Sequence, residues 1–361
     1  MLRQKKIRFV ALAGVAVLAI PMTACATDNT PGSPGNPGVT GSGNLAIYTG
    51  RDKAEVAEVV AAFEAANPQY KGKVTTVIAG TQDNLDRLRA EKGNPQAGFL
   101  WGGTQQQLEQ AANEGLLIPY RMKNDPLVKA NYKDSRYYWY AEMLLPEVII
   151  YNTKLLDAKA APKDWADLVK PEWKGKIVIR DVMASGTMRT IYSALIWKNL
   201  QPGNDPQPGY DFLKKLDANT VSYAATPEDM YAQLDQGVGS VTLWNLQDAL
   251  IQPLKNSRPW KYVMPSSGAP VLLDAVGVVN NPDQLQAARD FEDFLMSPAE
   301  QAKLAADYYQ VPAETLPDSA KPKWLADLTL VEMPVEWTLL ATNQDTWMTY
   351  WADHIKGKGN G

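Results

Sequence analysis

The stretch 162–189 (PKDWADLVKPEWKGKIVIRDVMASGTMR) contains, in order, a short helical turn, a strand and the start of a helix. Pro171 ends the turn, because a proline ring disfavours helix in the residue before it. Residues 176–180 are a short apolar run rich in β-branched side chains, which predicts a buried strand. From Met188 onward apolar side chains recur at helical spacing, so residues 185–187 are predicted to open a helix.

The helix start at residues 185–187 is a candidate binding site. The first amides of a helix lack partners within the helix and favour negative charge or lone pairs. No acidic residue lies within residues 185–190 to occupy them. The alternative is an ordinary N-cap, in which Ser185 only bonds the amides of its own helix. Both interpretations predict a strand that leads directly into a helix.

Strands alternate with helices along most of the chain, which predicts an α/β fold with mostly parallel sheets. In such sheets ligands bind beyond the carboxyl ends of the strands, where the turns into helices lie. Four such turns and one acid on a later strand are therefore candidate ligand contacts. They supply the predicted binding residues Thr49, Gly50, Arg51, Trp101, Gly102, Gly103, Ser185, Gly186, Thr187, Trp244, Asn245 and Asp274.

Several candidates have a structural alternative that remains open at this point. Arg51 would clamp a carboxylate or phosphate with two prongs, or it is a surface arginine. Trp101 would stack on the solute, or it is a core residue beside a tight turn. Asp181 and Asp274 would accept hydrogen bonds from hydroxyls or an amine, or they form ion pairs with lysine or arginine.

Composition excludes several kinds of site. The net charge of −4 argues against nucleic acid as a main partner. The chain has one cysteine, Cys25, and one histidine, His354, which excludes an internal disulfide framework and a Cys/His zinc site. We predict no cofactor, no metal site and no catalytic residue, and a monomeric protein.

The N-terminus resembles a lipoprotein export signal. A positive segment precedes an apolar run at residues 9–20, which is short for a membrane span, and small residues lead to the single cysteine. We predict a signal peptide over residues 1–24 and lipidation of Cys25. Residues 25–44, rich in Pro, Gly, Ser and Asn, are predicted to form a disordered tether between the membrane anchor and the folded part.

Four segments carry a resemblance to a known family. They are PEWKGKI at residues 171–177, LAIYTG at 45–50, VIIYN at 148–152 and FEDFLMSPAEQ at 291–301. Together they resemble the ABC-transporter solute-binding proteins of the ferric-iron, thiamine and phosphonate group, over about residues 45–312. The resemblance implies a type II periplasmic-binding-protein fold, whose two lobes close on a small solute and are then recognised by an ABC permease.

The expected lobes follow from two predicted crossings of the chain. An apolar stretch at residues 142–150, which ends at Tyr151 and Asn152, is predicted to be a strand that leads from the first lobe to the second, and a strand at 271–279 leads back. Lobe 1 is therefore predicted to comprise residues 45–145 and 271–361, including the C-terminal helices, and lobe 2 residues 146–270. Two crossings allow closure about a hinge.

The identity of the solute is left open between several classes. Ferric-ion members of the family typically carry adjacent tyrosines where this chain has Trp244 and Asn245. We therefore expect a small polar organic solute, anionic or polyhydroxylated, with a ferric-ion or thiamine-binding member as the alternative. Two other classes are an extracytoplasmic hydrolase using Asp181 and Asp274 as acid and base, and a sensor lipoprotein. All of them place the protein outside the cytoplasm, in the periplasm or on the outer face of the membrane.

Overall fold

The computed structural model describes residues 43–358, which form an α/β fold. The predicted signal peptide, Cys25 and nearly all of the predicted tether lie outside the described residues. Within residues 43–358 there are ten strands: β1 Leu45–Thr49, β2 Val74–Ile78, β3 Phe99–Thr104, β4 Tyr140–Asn152, β5 Ile177–Arg180, β6 Thr220–Ala224, β7 Val241–Asn245, β8 Trp260–Val263, β9 Val271–Val278 and β10 Val311–Pro312.

Helices cover the sheet and form the C-terminal part of the described chain. In this part of the chain the α-helices are α1 Lys53–Ala66, α2 Thr81–Ala90, α3 Gln105–Asn113, α4 Gly186–Lys198, α5 Gln207–Asn219, α6 Pro227–Gln236, α7 Leu246–Asn256, α8 Leu285–Leu295, α9 Pro298–Tyr308, α10 Lys323–Ala326 and α11 Trp337–His354. Short 3₁₀ helices join them at Pro68–Tyr70, Asp125–Leu127, Ala130–Tyr132, Trp165–Val169, Pro171–Trp173, Pro282–Gln284 and Asp318–Ala320. None of the helices within residues 43–358 is long and apolar enough to cross a membrane.

The strands form one curled sheet in the order β2-β1-β3-β9-β4-β7-β5-β6, with β8 and β10 on β4. The first lobe contains β1, β2 and β3 in parallel, and β9 antiparallel to β3. The second lobe contains β5, β6 and β7 in parallel. Each lobe thus has the parallel strands that the alternation of strands and helices predicts.

Strand β4 joins the two lobes. Its first part pairs with β9 as far as Pro146, and its second part pairs with β7 from Glu147 onward. A proline has no N–H to donate to a ladder, so the partner strand changes where a hydrogen bond would be lost anyway. The long strand with a change of partner confirms that the chain crosses between lobes here, as its apolar sequence predicts.

The C-terminal helix packs against the second lobe. The ring of Trp351 in α11 makes edge contacts with Tyr192 at 5.2 Å and Tyr223 at 5.6 Å between centroids. Lys356 Nζ also donates to Asp181 at 2.8 Å. The predicted division assigned these helices to the first lobe. The exact lobe bounds stay a prediction, but α11 shares its packed surface with α4, which that division assigned to the second lobe.

The stretch 162–189 folds as its sequence predicts. Trp165–Val169 is a 3₁₀ helix with Trp165 and Leu168 buried, and β5 follows after Gly175. Ser185 is the N-cap of α4, since its Oγ accepts from the N–H of Met188 at 3.2 Å. Local signals suffice here because each element is defined by its own caps and apolar spacing.

Candidate functional site

The carboxyl ends of the strands of both lobes face the crossing of β4. In the first lobe Asp274 of β9 is the register partner of two residues. They are Thr104, at the end of β3, and Met143 of β4. In the second lobe Asn245 at the end of β7 lies level with Glu147 of the same strand. Met143 and Glu147 are four residues apart, about 13 Å at the rise of a strand. The two rows of strand ends therefore face each other, and the space between them is called the crevice below.

Five candidates of the first lobe come together at one wall of this crevice. Gly103 N–H donates to Asp274 Oδ1 at 2.8 Å, and Arg51 Nη1 lies 3.0 Å from Asp274 Oδ2. Gly102 has φ +94°, and a Cβ placed on it would lie 3.5 Å from Asp274 Oδ1 and 4.0 Å from the N of Gly50. The two glycines thus allow the turn after β3 to approach the turn after β1 closely.

Arg51 is not a surface residue, because only 9% of it is exposed. Its guanidinium bonds Glu142 and Asp274, and its Nε lies 3.8 Å from Glu55. Burial alone would lower the pKa of Arg51, but the three carboxylates raise it, so the side chain stays charged. The prongs that were predicted to clamp an anionic solute are already engaged within the protein.

Three acidic side chains surround the single guanidinium of Arg51. Burial raises the pKa of Glu142 against the opposing effect of Arg51, and Trp101 Nε1 donates to Glu142 at 3.1 Å. Burial likewise raises the pKa of Glu55 to about 7, and Gln310 Nε2 donates to it at 2.7 Å. This wall therefore presents an excess of acidic groups.

Trp101 has the core position that the structural alternative describes. It is fully buried and packs edge-on against Phe291 at 5.9 Å between ring centroids. No face of its indole is open to a solute in this conformation. Its polar contribution is the N–H that holds Glu142 in place.

The other wall is formed by the helix starts of the second lobe. Asn245 is the N-cap of α7, with Oδ1 accepting from the N–H of Asp248 at 2.8 Å. Asp248 Oδ2 receives donors from Trp244 Nε1 at 2.6 Å, Tyr231 Oη at 2.6 Å and Asn245 Nδ2 at 3.0 Å. Asp248 is thus held as an acceptor beside the end of β7.

The turn at Ser185, Gly186 and Thr187 lies at the same sheet edge, because β5 runs parallel to β7. Gly186 is exposed, and a Cβ placed on it would have no neighbour within 4 Å, while Thr187 is half-buried. Among the described residues no hydrogen bond or ion pair joins this turn to Asn245 or to the first-lobe wall. The side chain of Ser185 is used to cap α4. Gly186 and Thr187 remain accessible, because the turn lies at the edge of the sheet.

Glu147 is the group that the sequence interpretation missed. It is fully buried, and neither of its carboxylate oxygens has a hydrogen-bond partner within residues 43–358. Burial, with a smaller contribution from Asp248, raises its pKa well above the usual value. Glu142 and Glu147 both stand in a run predicted to be a buried strand. Acids are rare at buried strand positions, so these two glutamates could have been recognised in the sequence as candidate site residues.

Asp181 lies farther along the second-lobe edge and is ion-paired to Lys356. Asp274 is ion-paired to Arg51. Both acids thus show the structural alternative that the sequence left open. Among the described residues no group of three or more His, Cys, Asp or Glu side chains is arranged to hold a metal ion.

Comparison with known proteins agrees with this architecture. A probable ABC transporter periplasmic-binding protein of Sinorhizobium fredii is 28% identical over 306 residues, 84% of each chain. The spermidine/putrescine-binding periplasmic protein of Escherichia coli is 26% identical over 201 residues, 54% of this chain and 53% of that protein. The solved ferric binding protein from Campylobacter jejuni matches with a TM-score of 0.73 at 22% identity, covering 86% of this chain and 99% of that one.

Two lobes whose strand ends face one crevice define a type II periplasmic binding protein. A family model described as bacterial extracellular solute-binding protein matches residues 98–330, and the chain belongs to that family. Members bind small-molecule solutes and act with an ABC permease. The recognition made from four short segments is thereby confirmed at the level of the family.

Proposed function

We propose that this chain is the lipid-anchored receptor of an ABC importer and closes on one small polar organic solute. The observation that carries the proposal is the pair of opposed strand-end rows at the β4 crossing. In α/β sheets these ends are where ligands bind, and here the two rows belong to different lobes. Binding would draw Asp274 and Asn245 together, and the permease would recognise the closed form.

The solute is expected to be rich in hydrogen-bond donors. The sequence predicts an anionic or polyhydroxylated compound, and the engagement of Arg51 by three carboxylates removes the main argument for an anion. Hydroxyl groups are suitable partners for acceptors such as Asp274. The names of the matched proteins point to different solutes, polyamines in one and ferric ion in another, so they do not select one for this chain.

A receptor is favoured over the two other classes by the state of the acids. The hydrolase interpretation needs Asp181 and Asp274 as an acid/base pair, but each is held in its own ion pair, with Lys356 at 2.8 Å and Arg51 at 3.0 Å. A sensor with the same fold would bind its solute in the same crevice. Uptake of labelled solute by cells with and without this gene separates a transporter from a sensor.

The site is tested by measuring whether candidate solutes bind and whether a bulky side chain in the crevice prevents binding. A thermal-shift panel on the purified whole chain would use fructose 6-phosphate, 2-aminoethylphosphonate, thiamine, spermidine, xylitol and ferric citrate. A compound that binds the native state at about 100 times its Kd adds roughly 2.7 kcal/mol to the free energy of unfolding and raises Tm. Thr187→Trp places an indole in the crevice and should abolish that rise, whereas Thr349→Trp on the exposed face of α11 should keep it.

Two results would contradict the proposal. One is a panel in which no compound raises Tm. The other is an equal response of the Thr187→Trp and Thr349→Trp variants, because solute binding would then not involve the crevice. Anchoring is tested separately by cell fractionation: the wild-type chain should sediment with membranes, and Cys25→Ser should not.

A further inference from the structure

Glu147 is a buried acid without a partner. Its side chain is fully buried, and both carboxylate oxygens lack a donor among the described residues. Leaving a buried polar group unpaired costs about 1–3 kcal/mol, and more when the group is charged. Buried polar groups are paired in the great majority of cases, so an exception of this kind calls for an explanation.

The position of Glu147 supplies that explanation. It is the first residue of β4 to pair with the second lobe, opposite Asn245 at the end of β7. Directly opposite residues of an antiparallel pair have their Cβ atoms about 5 Å apart on the same face of the sheet. Glu147 therefore shares its face with the N-cap residue of α7. Because side chains alternate along a strand, Glu147 also lies on the same face of the sheet as Met143, the register partner of Asp274.

The ionisable groups around the crevice are mostly acids. Asp248 is the group that acts electrostatically on Glu147, and Trp244, Tyr231 and Asn245 hold it as an acceptor. On the facing wall three carboxylates surround the single guanidinium of Arg51.

The other cations at the second-lobe edge are engaged elsewhere. The side chain of Arg180 donates to the carbonyl of Ala224 at 3.2 Å, and Lys356 pairs with Asp181. Within the described residues no cation is hydrogen-bonded to Glu147. The protein thus builds an acidic crevice without supplying the matching positive charge from its own chain.

We infer that the solute supplies this charge: it carries a protonated amine that binds between Glu147 and Asp248. This inference rests on the proposed receptor function and names the chemical class of its solute, a small organic cation. An ammonium group brings up to three N–H donors, enough for an oxygen of Glu147 and a free lone pair of Asp248. Charge-assisted bonds of this kind are among the strongest in a water-poor site.

Proton release is a signature of this mode of binding. Burial raises the pKa of Glu147 well above its usual value, which favours the protonated carboxyl in the absence of solute. An ammonium placed against the carboxyl favours its ionised form, so the proton leaves when the amine binds. The affinity for the amine should then increase with pH, by up to about tenfold per pH unit while Glu147 is protonated in the free protein.

The experiment is isothermal titration calorimetry on the whole chain at pH 6, 7 and 8. The amine probes are putrescine, spermidine and 2-aminoethylphosphonate, and butane-1,4-diol, succinate and fructose 6-phosphate are the solutes without an amine. At least one amine should bind, more tightly at higher pH, with a heat that depends on the ionisation enthalpy of the buffer. Butane-1,4-diol, which has the chain of putrescine without its charges, should bind at least about a hundredfold more weakly than putrescine if putrescine binds.

Two variants assign the effect to Glu147. Glu147→Gln should weaken binding of the amine by at least about a hundredfold and remove the buffer dependence. Glu314→Gln is the matched control, because Glu314 is also buried with both oxygens unpartnered but lies away from the β4 crossing, in a groove beside Leu316 and Leu325. It should bind the amine as the wild type does. Should Glu147→Gln fail to fold, Glu147→Asp keeps the charge and should retain proton release at reduced affinity.

The inference and the receptor function fail in different ways. Binding of succinate or fructose 6-phosphate with no binding of any amine overturns the inference and leaves the receptor in place. Binding of no probe at all overturns both. Equal losses in Glu147→Gln and Glu314→Gln, or amine affinity that does not change with pH, overturn the assignment to Glu147.

Discussion

Strand β4 carries two buried glutamates, one on each side of the change of lobe, and they differ in almost every contact. Glu142 bonds the guanidinium of Arg51 and the indole of Trp101. The carboxylate of Glu147 bonds nothing among the described residues. Both are fully buried, and burial raises the pKa of both. Burial alone therefore does not distinguish a structural acid from a binding acid. The distinction lies in whether the carboxylate has a partner within the protein.

The comparison separates the two walls of the crevice by role. In the first lobe Arg51 fixes the turn after β1 to β4 and β9, so this wall is a preassembled unit. In the second lobe the Asp248 cluster is assembled, but Glu147 beside it is left open. In a receptor that closes on its solute, one side of the site is held in place by contacts within the protein. A group on the other side is expected to find its partner in the solute.

The largest effect on stability is expected for Arg51, which holds the first-lobe wall together. Arg51→Met removes the cation from among Glu55, Glu142 and Asp274 and leaves buried carboxylates uncompensated. We expect a loss of about 3–5 kcal/mol in the free energy of unfolding, measured by urea denaturation at pH 7. Arg87→Met is the control, because Arg87 pairs with Glu91 at 2.8 Å on the surface and its loss should cost less than about 1 kcal/mol. Equal losses in the two variants would contradict a structural role for Arg51.

A smaller effect, with a definite pH dependence, is expected at the unpartnered acids. The pKa of Glu147 is raised well above 4.5, and burial raises the pKa of Glu314 to about 8. The folded chain then holds protons that the unfolded chain releases, so these groups make stability fall as pH rises from 4.5 towards 8.

Replacing either acid by glutamine removes its part of that fall. Relative to the wild type, the free energy of unfolding of both variants should rise between pH 5 and pH 8, for Glu314→Gln by on the order of 1–3 kcal/mol. Urea denaturation of solute-free protein at both pH values measures it. Curves that stay parallel to the wild type would show that the acids are paired or hydrated in solution.

The smallest effect is expected at the two helix caps of the second lobe. Ser185→Ala and Asn245→Ala each remove an N-cap bond, which is worth about 1 kcal/mol. Asn245→Ala should cost more, because Asn245 also donates to Asp248. Thermal unfolding of both variants measures the difference. A larger loss for Ser185→Ala would mean that its turn has a structural role beyond the cap.

Much of the fold could be predicted from local signals. The capping box at Thr104 and Gln107 is present at the start of α3, and Gly237 ends α6 in a left-handed conformation. The tryptophans Trp347 and Trp351 of α11 are buried in the apolar core. Each of these features depends on residues within one turn of each other, so the sequence displays the whole cause.

The candidate site could be predicted only in part. The strand ends were located because caps and glycines mark them, as at Gly102 and Gly103. The partners of Arg51 were missed, because Glu142 and Asp274 are distant in sequence and meet it only through the pairing of β3, β9 and β4. The side on which α11 packs was missed for the same reason.

The sequence by itself determined the positions of the strands and helices, the family, and which turns follow the strands, since propensity, capping and apolar spacing act over a few residues. Tertiary structure alone decided which acids have partners. Arg51 and Trp101 donate to Oε2 of Glu142, whereas neither carboxylate oxygen of Glu147 has a donor among the residues that the structure describes. The physical reason is that the energy of a buried charge depends on what lies within a few ångströms of it, and for these residues that is set by the pairing of distant strands.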